Sequence, residues 1–217
     1  MRRFLVLGLG TFGSNLARQL VEDGCEVVGV DRNQDVVEDA KEFLAQVMMF
    51  DVTDRKALES LDVRSFDAVA VSLGDRMDSA ILCSMYLKEI GARKVIAKAV
   101  TLDHAKILRH VGADETIFPE RDMALRLATR LAWPNVLEDL KLAPGYSILE
   151  IAPASEIVGK SLGESRIRNR YNVHVIAVRE LVPERLVPAP GADFVIKDSD
   201  ILIVLGKDED LQKIRRR

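Results

Sequence analysis

Through the first 130 or so residues, short apolar runs alternate with segments in which apolar positions recur every three to four residues. This alternation is typical of parallel strands joined by crossover helices, so it predicts an α/β domain with a doubly wound, Rossmann-like parallel sheet. Strands are predicted at 4–7, 26–30, 46–49, 67–72, 94–99 and 115–118. Helices are predicted at about 14–20, 33–44, 55–61, 77–90, 101–110 and 121–131. We therefore assign residues 1–132 to the first domain.

The pattern changes after residue 132, where the alternation of strands and helices stops. Residues 133–145 are predicted to be a linker, with a short connecting helix at 136–140. Residues 146–217 are predicted to form a smaller α+β module, because prolines interrupt strand-like segments there. Its predicted strands lie at 147–152, 173–179 and 201–205, with a short helix near 162 and a terminal helix at 208–214.

The first apolar run leads directly into a glycine-rich turn. Gly8, Gly10 and Gly13 have the G-x-G-x-x-G spacing, with a predicted strand before them and a predicted helix after them. In such a unit the glycines permit a tight turn, a close approach of phosphate to the backbone, and close packing of helix on strand. The second strand ends at Asp31, 18 residues beyond Gly13, near the distance at which a carboxylate binds a ribose hydroxyl. Together these features predict a dinucleotide-type binding site.

Other strand ends should face the same site, because ligands of open α/β sheets bind outside the carboxyl ends of the strands. The residues at these ends form a polar rim of mixed charge. They are the 8–13 loop (with Thr11 and Phe12), Asp31, Asp51, Ser72, Leu73, Gly74, Lys98 and Glu120. For Asp51 and Ser72, a role in a turn or helix cap is as well supported as contact with a ligand. Lys98 and Glu120, taken alone, favour a structural role.

Composition and charge narrow the possible functions. The net charge is −3, which gives nucleic-acid binding no electrostatic support. Cys25 and Cys83 fit no metal spacing and are interpreted as buried residues in a reducing cytoplasm. We find no signal peptide and no apolar run long enough to span a membrane, so the chain is expected to be soluble.

The residues needed for dehydrogenase chemistry are hard to find. His104 and His110 lie on one predicted helix, away from the strand ends, and His174 lies in a strand of the second module. This favours a nucleotide sensor over a small NAD-dependent oxidoreductase, which stays as the alternative. A NAD-sensing transcription regulator is a third hypothesis, but no helix-turn-helix is evident.

Arginines cluster at two places in the second module. Arg166, Arg168 and Arg170 could bind a phosphate or a carboxylate, or could simply form a solvated face. The run 215–217 is expected to be a frayed tail.

Several of these stretches resemble the RCK (regulator of K⁺ conductance) family of bacterial potassium uptake, close to its KtrA-like and TrkA-like members. The resemblance covers nearly the whole chain. It rests on the glycine loop, on Val30-Asp31-Arg32-Asn33, on the segments 112–114 and 118–123, and on Gly159-Lys160-Ser161-Leu162 with 188–190 and 200–206, which look like a TrkA-C module.

The resemblance implies a cytoplasmic regulatory subunit without catalytic turnover. Such proteins form octameric rings beneath a membrane K⁺-transport subunit of the KtrB or TrkH type. Their N-terminal domain binds ATP, ADP or NAD(H), and a change of nucleotide alters the ring and gates the ion path. Asp31 would hold the ribose, with Arg32, Asn33 and Val52 among the nucleotide contacts. Lys98 and Glu120 would lie near the phosphates or a subunit interface, where Glu120 could help to hold Mg²⁺ or another divalent cation.

Two departures from the family pattern concern ligand choice. Family members that favour ATP carry an arginine where this chain has Thr11, which makes NAD(H) or ADP more plausible. Some members bind cyclic di-AMP between two C-terminal modules, and the residues implied for that second ligand here are Arg168, Val173 and Val175. Leu162 also fits that pattern, whereas Gly163 and Arg166 depart from it.

Overall fold

The six apolar runs of the N-terminal half form a single parallel sheet in the computed structural model, which describes residues 1–215. Its strands are β1 Arg3–Leu7, β2 Glu26–Asp31, β3 Gln46–Met49, β4 Ala68–Val71, β5 Val95–Lys98 and β6 Glu115–Ile117. The connecting helices are α1 Thr11–Glu22, α2 Gln34–Ala40, α3 Arg55–Ser60, α4 Met77–Glu89 and α5 Leu102–His110, followed by α6 Pro119–Ala132. The predicted Rossmann-like fold is confirmed.

The strand order β3-β2-β1-β4-β5-β6 places β1 at the centre, where the chain reverses the direction in which it adds strands. A crevice forms outside the carboxyl ends of the strands at such a reversal, and it is the usual ligand position in open α/β sheets. The loops that follow β1 and β4 line this crevice. The glycine-rich turn is therefore located where the topology itself predicts a ligand.

Apolar residues on both faces of the sheet explain why β1 contains no polar position in its centre. Leu5 and Leu7 pack into one core with Leu87 of α4, while Val6 packs on the other face with Ala17 of α1. Alternate side chains of a strand point to opposite faces, so a strand that is buried on both sides must be apolar throughout.

The contact pattern separates the chain into two units, Met1–Glu120 and Arg121–Arg217. The second unit contains an antiparallel sheet of order β10-β9-β11-β8-β7. Its strands are β7 Val136–Ala143, β8 Tyr146–Ile151, β9 His174–Leu181, β10 Glu184–Pro188 and β11 Ile201–Lys207; its later helices are α7 Leu162–Ser165, α8 Ile167–Tyr171 and α9 Asp208–Arg215. Leu149, Val178 and Leu202 meet Leu211 of α9 in its core.

Three expectations for the second half need correction. The segment predicted as a helix at 136–140 is strand β7, because Gly145, at φ +80°, turns the chain so that β7 pairs with β8. Helix α6 begins at Pro119 itself, since a proline at the first helical position lacks only an N–H that has no partner there. Arg215 is not frayed: its Nη2 lies 2.6 Å from Asp139 Oδ2, and both side chains are largely buried. Residues 216–217 of that predicted tail lie outside the described part.

Glu180 carries the most deeply buried charge of the β9–β10 hairpin, with 2% of its side chain exposed. It accepts hydrogen bonds from Arg185 and, at 2.7 Å, from Lys197 Nζ, and these bonds hold its pKa below the ordinary value of a glutamate.

We expect the stability that Glu180 contributes to be present at neutral pH and lost as the pH falls through its lowered folded-state pKa. Glu180→Gln should therefore be less stable than the wild type at pH 7, and the gap should close on acidification. Urea denaturation at several pH values measures this gap. Glu184→Gln, an exposed change in the same hairpin, is the control, and a gap that does not depend on pH would contradict the role of the charge.

Within residues 1–215, no helix combines the length and the hydropathy needed to cross a bilayer.

Candidate nucleotide-binding site

The glycine loop joins β1 to α1, and its three glycines differ in the space around them. Gly8 has φ +91°, and a Cβ built on it would lie 2.1 Å from the carbonyl oxygen of Ser72. A Cβ on Gly13 would lie 1.9 Å from the carbonyl oxygen of Gly8, whereas a Cβ on Gly10 would have no atom of the described residues within 4 Å. Gly8 and Gly13 are therefore needed for the fold of the loop, while Gly10 leaves open space above the backbone.

The N-terminus of α1 faces that space. Gly10 is the N-cap residue, and among residues 1–215 no side chain caps the helix there. Free N–H groups and the helix dipole together favour an anion at this point. The open space at Gly10 and the uncapped helix fit the phosphates of a nucleotide.

Asp31 ties the end of β2 to the glycine loop. Its Oδ2 accepts a hydrogen bond from the backbone N–H of Leu9 at 2.8 Å, and its Oδ1 accepts one from the N–H of Asn33 at 2.9 Å. A carboxylate oxygen has a second lone pair, so Asp31 can accept a further hydrogen bond from each of two ribose hydroxyls. The carboxylate thus both shapes the loop and faces the cavity.

Asp51 lies between two arginines at the end of β3. Its Oδ1 accepts bonds from the N–H and the hydroxyl of Thr53, at 2.9 and 2.8 Å. Its Oδ2 lies 3.3 Å from Arg76 Nη2 and 3.8 Å from Arg32 Nη1. The Thr53 bonds are the main reason that the pKa of Asp51 is below its ordinary value, so the carboxylate is ionised at neutral pH.

The glycine loop and the residues at the ends of β2, β3 and β4 enclose a cavity of about 230 Å³. Its lining consists of Gly8, Gly10, Asp31, Arg32, Phe50, Val52, Ser72, Leu73, Gly74 and Arg76. Eight of these ten residues are candidates from the sequence; Phe50 and Arg76 are not. Phe50 directly follows β3, so its place in the chain could have indicated it, whereas Arg76 lies two residues beyond the last candidate of its loop.

Five other residues that the sequence suggests for the site do not line this cavity: Thr11, Phe12, Asn33, Lys98 and Glu120. Thr11 and Phe12 form the first turn of α1, and Asn33 caps α2 by accepting a bond from the N–H of Asp35. Lys98, at the end of β5, is paired with Glu120, and this pair is not among the lining residues. The hydrogen bond from Lys98 is the main cause that lowers the pKa of Glu120.

Metal and acid–base groups are sparse in the described part of the chain. There, no group of three or more His, Cys, Asp or Glu side chains is placed to hold a metal ion. The ionisable side chains that line the cavity are Asp31, Arg32 and Arg76. His104 is buried, and desolvation lowers its pKa, while Cys83 is buried with its thiol pKa raised to about 12. Cys25 is only half-buried, which differs from the expectation that both cysteines are buried.

The second module has a depression of about 340 Å³ beside α8. Arg168 and Val175 line it, together with Arg166 and Leu162. Val173 does not: it is fully buried in the core of this unit, which differs from its expected place beside a ligand.

A Rossmann-type sheet with a glycine loop and a strand-end acid defines the first unit as a nucleotide-binding type of domain, and comparison with known proteins identifies the family. Residues 4–119 match the TrkA-N domain and residues 138–217 match the TrkA-C domain. The chain therefore belongs to the family of proteins with TrkA-N and TrkA-C domains. The resemblance to RCK proteins is confirmed.

The chain is similar over its full length to curated potassium-uptake proteins. It is 35% identical to the Ktr system potassium uptake protein C of Bacillus subtilis (strain 168), covering 100% of this chain and 97% of the relative. It is 31% identical to the Ktr system potassium uptake protein A of Vibrio alginolyticus, covering 97% and 94%.

Among solved structures, the GsuK channel bound to NAD shares the fold. The match has a TM-score of 0.66 at 21% identity and covers 97% of this chain. This chain spans 38% of the GsuK chain, so the likeness concerns one part of that larger protein.

Proposed function

We propose that this chain is the nucleotide-binding regulatory subunit of a potassium uptake system. Similarity along almost the entire length of two Ktr proteins supports this proposal. The observation that carries it is the cavity at the reversal of strand order, where the open space at Gly10 and the carboxylate of Asp31 lie together.

The residues of the cavity favour NAD(H) or ADP as the nucleotide. The glycine loop contains no cation: Thr11 stands where, by the resemblance to RCK proteins, members that favour ATP carry an arginine. Asp31 would repel a 2′-phosphate, which argues against NADP. NAD is the nucleotide named for the GsuK structure that shares this fold.

Binding would act on conformation, since the cavity is formed by the loops that follow four different strands. A nucleotide that binds one arrangement of these loops more tightly shifts the population towards it. A tenfold difference in affinity is worth about 1.4 kcal/mol per site, and several sites in one ring would act together.

We infer further that the chain has no catalytic turnover and acts on K⁺ flux through a membrane subunit of the KtrB or TrkH type, at the cytoplasmic face. The cavity supports this, because Asp31 is the one carboxylate and there is no His, Cys or Lys among its lining residues in the described part.

A homo-oligomer, assembled to an octameric ring, is part of the proposal. Helix α6 supports it, because none of its residues is buried although several are large and apolar. Met123, Leu127 and Leu131 are spaced four apart and so share one face, with exposed fractions of 62%, 49% and 74%. Exposed apolar stripes of this kind are typical of interfaces.

Leu127→Asp is expected to lower the oligomeric mass, because a carboxylate cannot be buried in an apolar interface without a partner. Native mass spectrometry of the purified chain measures the mass. Leu125→Asp, the same change on the opposite side of the helix, should have the smaller effect. Equal masses for the wild type and Leu127→Asp would contradict an interface on this face.

We also propose positions for two further ligands, a divalent cation and cyclic di-AMP. Glu120 is a candidate ligand for Mg²⁺ or another divalent cation, with its exposed carboxylate available to a second subunit. The depression lined by Arg168 and Val175 is the candidate site for cyclic di-AMP, with Arg168 as the phosphate-binding residue.

Calorimetric titration of nucleotide-stripped protein with ATP, ADP, NAD⁺ and NADH, with and without Mg²⁺, tests the nucleotide assignment. We expect NADH or ADP to bind more tightly than ATP. Binding of none of the four would overturn the assignment of the cavity, and tight ATP binding would show that another residue replaces the missing loop cation.

A further inference from the structure

Arg76 lies in the nucleotide cavity but belongs to none of its sequence motifs. It immediately precedes α4, and it lines the same cavity as Gly8 and Gly10. About a third of its side chain is exposed. The residue is therefore held at the cavity wall, although it is still accessible to a ligand.

The bonding of Arg76 within the described part of the chain is weak for an arginine. One hydrogen bond joins its Nη2 to Asp51 Oδ2, at 3.3 Å. A strong bond between a guanidinium and a carboxylate measures about 2.7–2.9 Å and is often doubled. Asp51 Oδ2 also faces Arg32, at 3.8 Å, and Asp51 Oδ1 is engaged by Thr53. Within residues 1–215, most of the five N–H donors of Arg76 are thus available to a ligand.

The charges around the cavity point to an anion as that ligand. Each oxygen of Asp31 accepts a backbone N–H bond, which offsets part of its charge. The loop from Gly8 to Gly13 contains no lysine or arginine, so at this end of the cavity a diphosphate would meet only N–H groups and the helix dipole. Arg32 and Arg76 are the cations among the lining residues in the described part of the chain. For Arg76, a diphosphate is a stronger partner than a shared carboxylate at 3.3 Å.

We propose that Arg76 is a phosphate-binding, specificity-determining residue of this site: it exchanges its bond to Asp51 for the diphosphate of the bound nucleotide. This inference rests on the proposed nucleotide binding and goes beyond it, because it predicts which part of the ligand is recognised from the start of α4. It implies that the site distinguishes a nucleotide from a nucleoside by the diphosphate and not by the base.

The test compares ADP with adenosine, which share the base and the ribose and differ in the phosphates. Both are titrated into the wild type and Arg76→Gln, with affinities taken from amide chemical shifts, which also report weak binding. Arg76→Gln should weaken ADP binding at least tenfold, as expected for a lost charge-assisted hydrogen bond, and should change adenosine binding less than twofold. Arg76→Lys keeps the charge and should retain part of the ADP affinity.

Arg93→Gln is the matched control: it removes the same charge from the same unit, at an exposed residue that does not line the cavity. An unchanged ADP affinity in Arg76→Gln, or an equal loss for ADP and adenosine, would overturn the role of Arg76. A wild type that binds neither ligand would instead overturn the proposed function, so the two failures are distinguishable. Thermal unfolding without ligand shows whether each variant is folded, and if Arg76→Gln is not, Arg76→Lys is compared with the wild type on the same two ligands.

Discussion

Asp31→Ala is expected to weaken nucleotide binding by well over tenfold. The substitution removes the acceptor for two ribose hydroxyls, and each hydrogen bond to a charged group contributes about 1.5–3 kcal/mol. It also removes the bond that holds the N–H of Leu9, at 2.8 Å, so the glycine loop loses one of the contacts that position it. Titration calorimetry with ADP and NADH measures the loss.

Asp39→Ala is the matched control for this loss. Asp39 is an exposed acid on α2 and does not line the cavity, so its removal changes the net charge equally without touching the site. We expect wild-type affinity for this variant. If Asp31→Ala bound nucleotide as tightly as Asp39→Ala, Asp31 would have no part in binding.

Gly10→Ala and Gly13→Ala should separate binding from folding. A Cβ on Gly10 meets no atom within 4 Å in the part of the chain that the structure describes, and the residue has φ −64°, which alanine adopts readily. Gly10→Ala should therefore unfold at the wild-type temperature but lose at least tenfold in nucleotide affinity, because the methyl group occupies the space over the phosphates. Gly13→Ala should lose both, since its Cβ would lie 1.9 Å from a backbone oxygen.

The expected destabilisation of Gly13→Ala is at least about 2 kcal/mol, because the loop backbone must move to relieve the overlap. Thermal and urea unfolding, recorded beside the calorimetric titrations, measure both effects. A Gly10→Ala variant that binds as the wild type does would place the phosphates elsewhere. A Gly13→Ala variant of normal stability would show that the loop is not fixed by contact with Gly8.

The sequence predicts the first domain well because its signals are local. Buried strands in a parallel sheet are continuously apolar, and the glycines and Asp31 lie directly beside β1 and β2 in the chain. The site follows from that placement, since parallel strands bring their carboxyl ends to one edge. Arg76 escapes this reasoning because it reaches the cavity through its long side chain, from beyond the strand end.

In the second module the deciding interactions are made with residues outside the stretch that is being predicted. The stretch at 136–140 carries an apolar spacing compatible with a helix, but pairing with β8 across the turn at Gly145 gives it the structure of a strand. Val173 has the same apolar character as Val175, yet one is buried in the core and the other lines the surface depression. Strand pairing and burial of this kind depend on the partner that a segment packs against and not on its own apolar spacing.

Potassium uptake in cells that lack this chain tests the central claim most directly. Rubidium influx, as the measure of uptake, is compared after complementation with the wild type, Asp31→Ala and Asp39→Ala at equal abundance. We predict that the wild type and Asp39→Ala restore controlled uptake and that Asp31→Ala does not. Full restoration by an Asp31→Ala protein that no longer binds nucleotide would contradict control of K⁺ flux through this site.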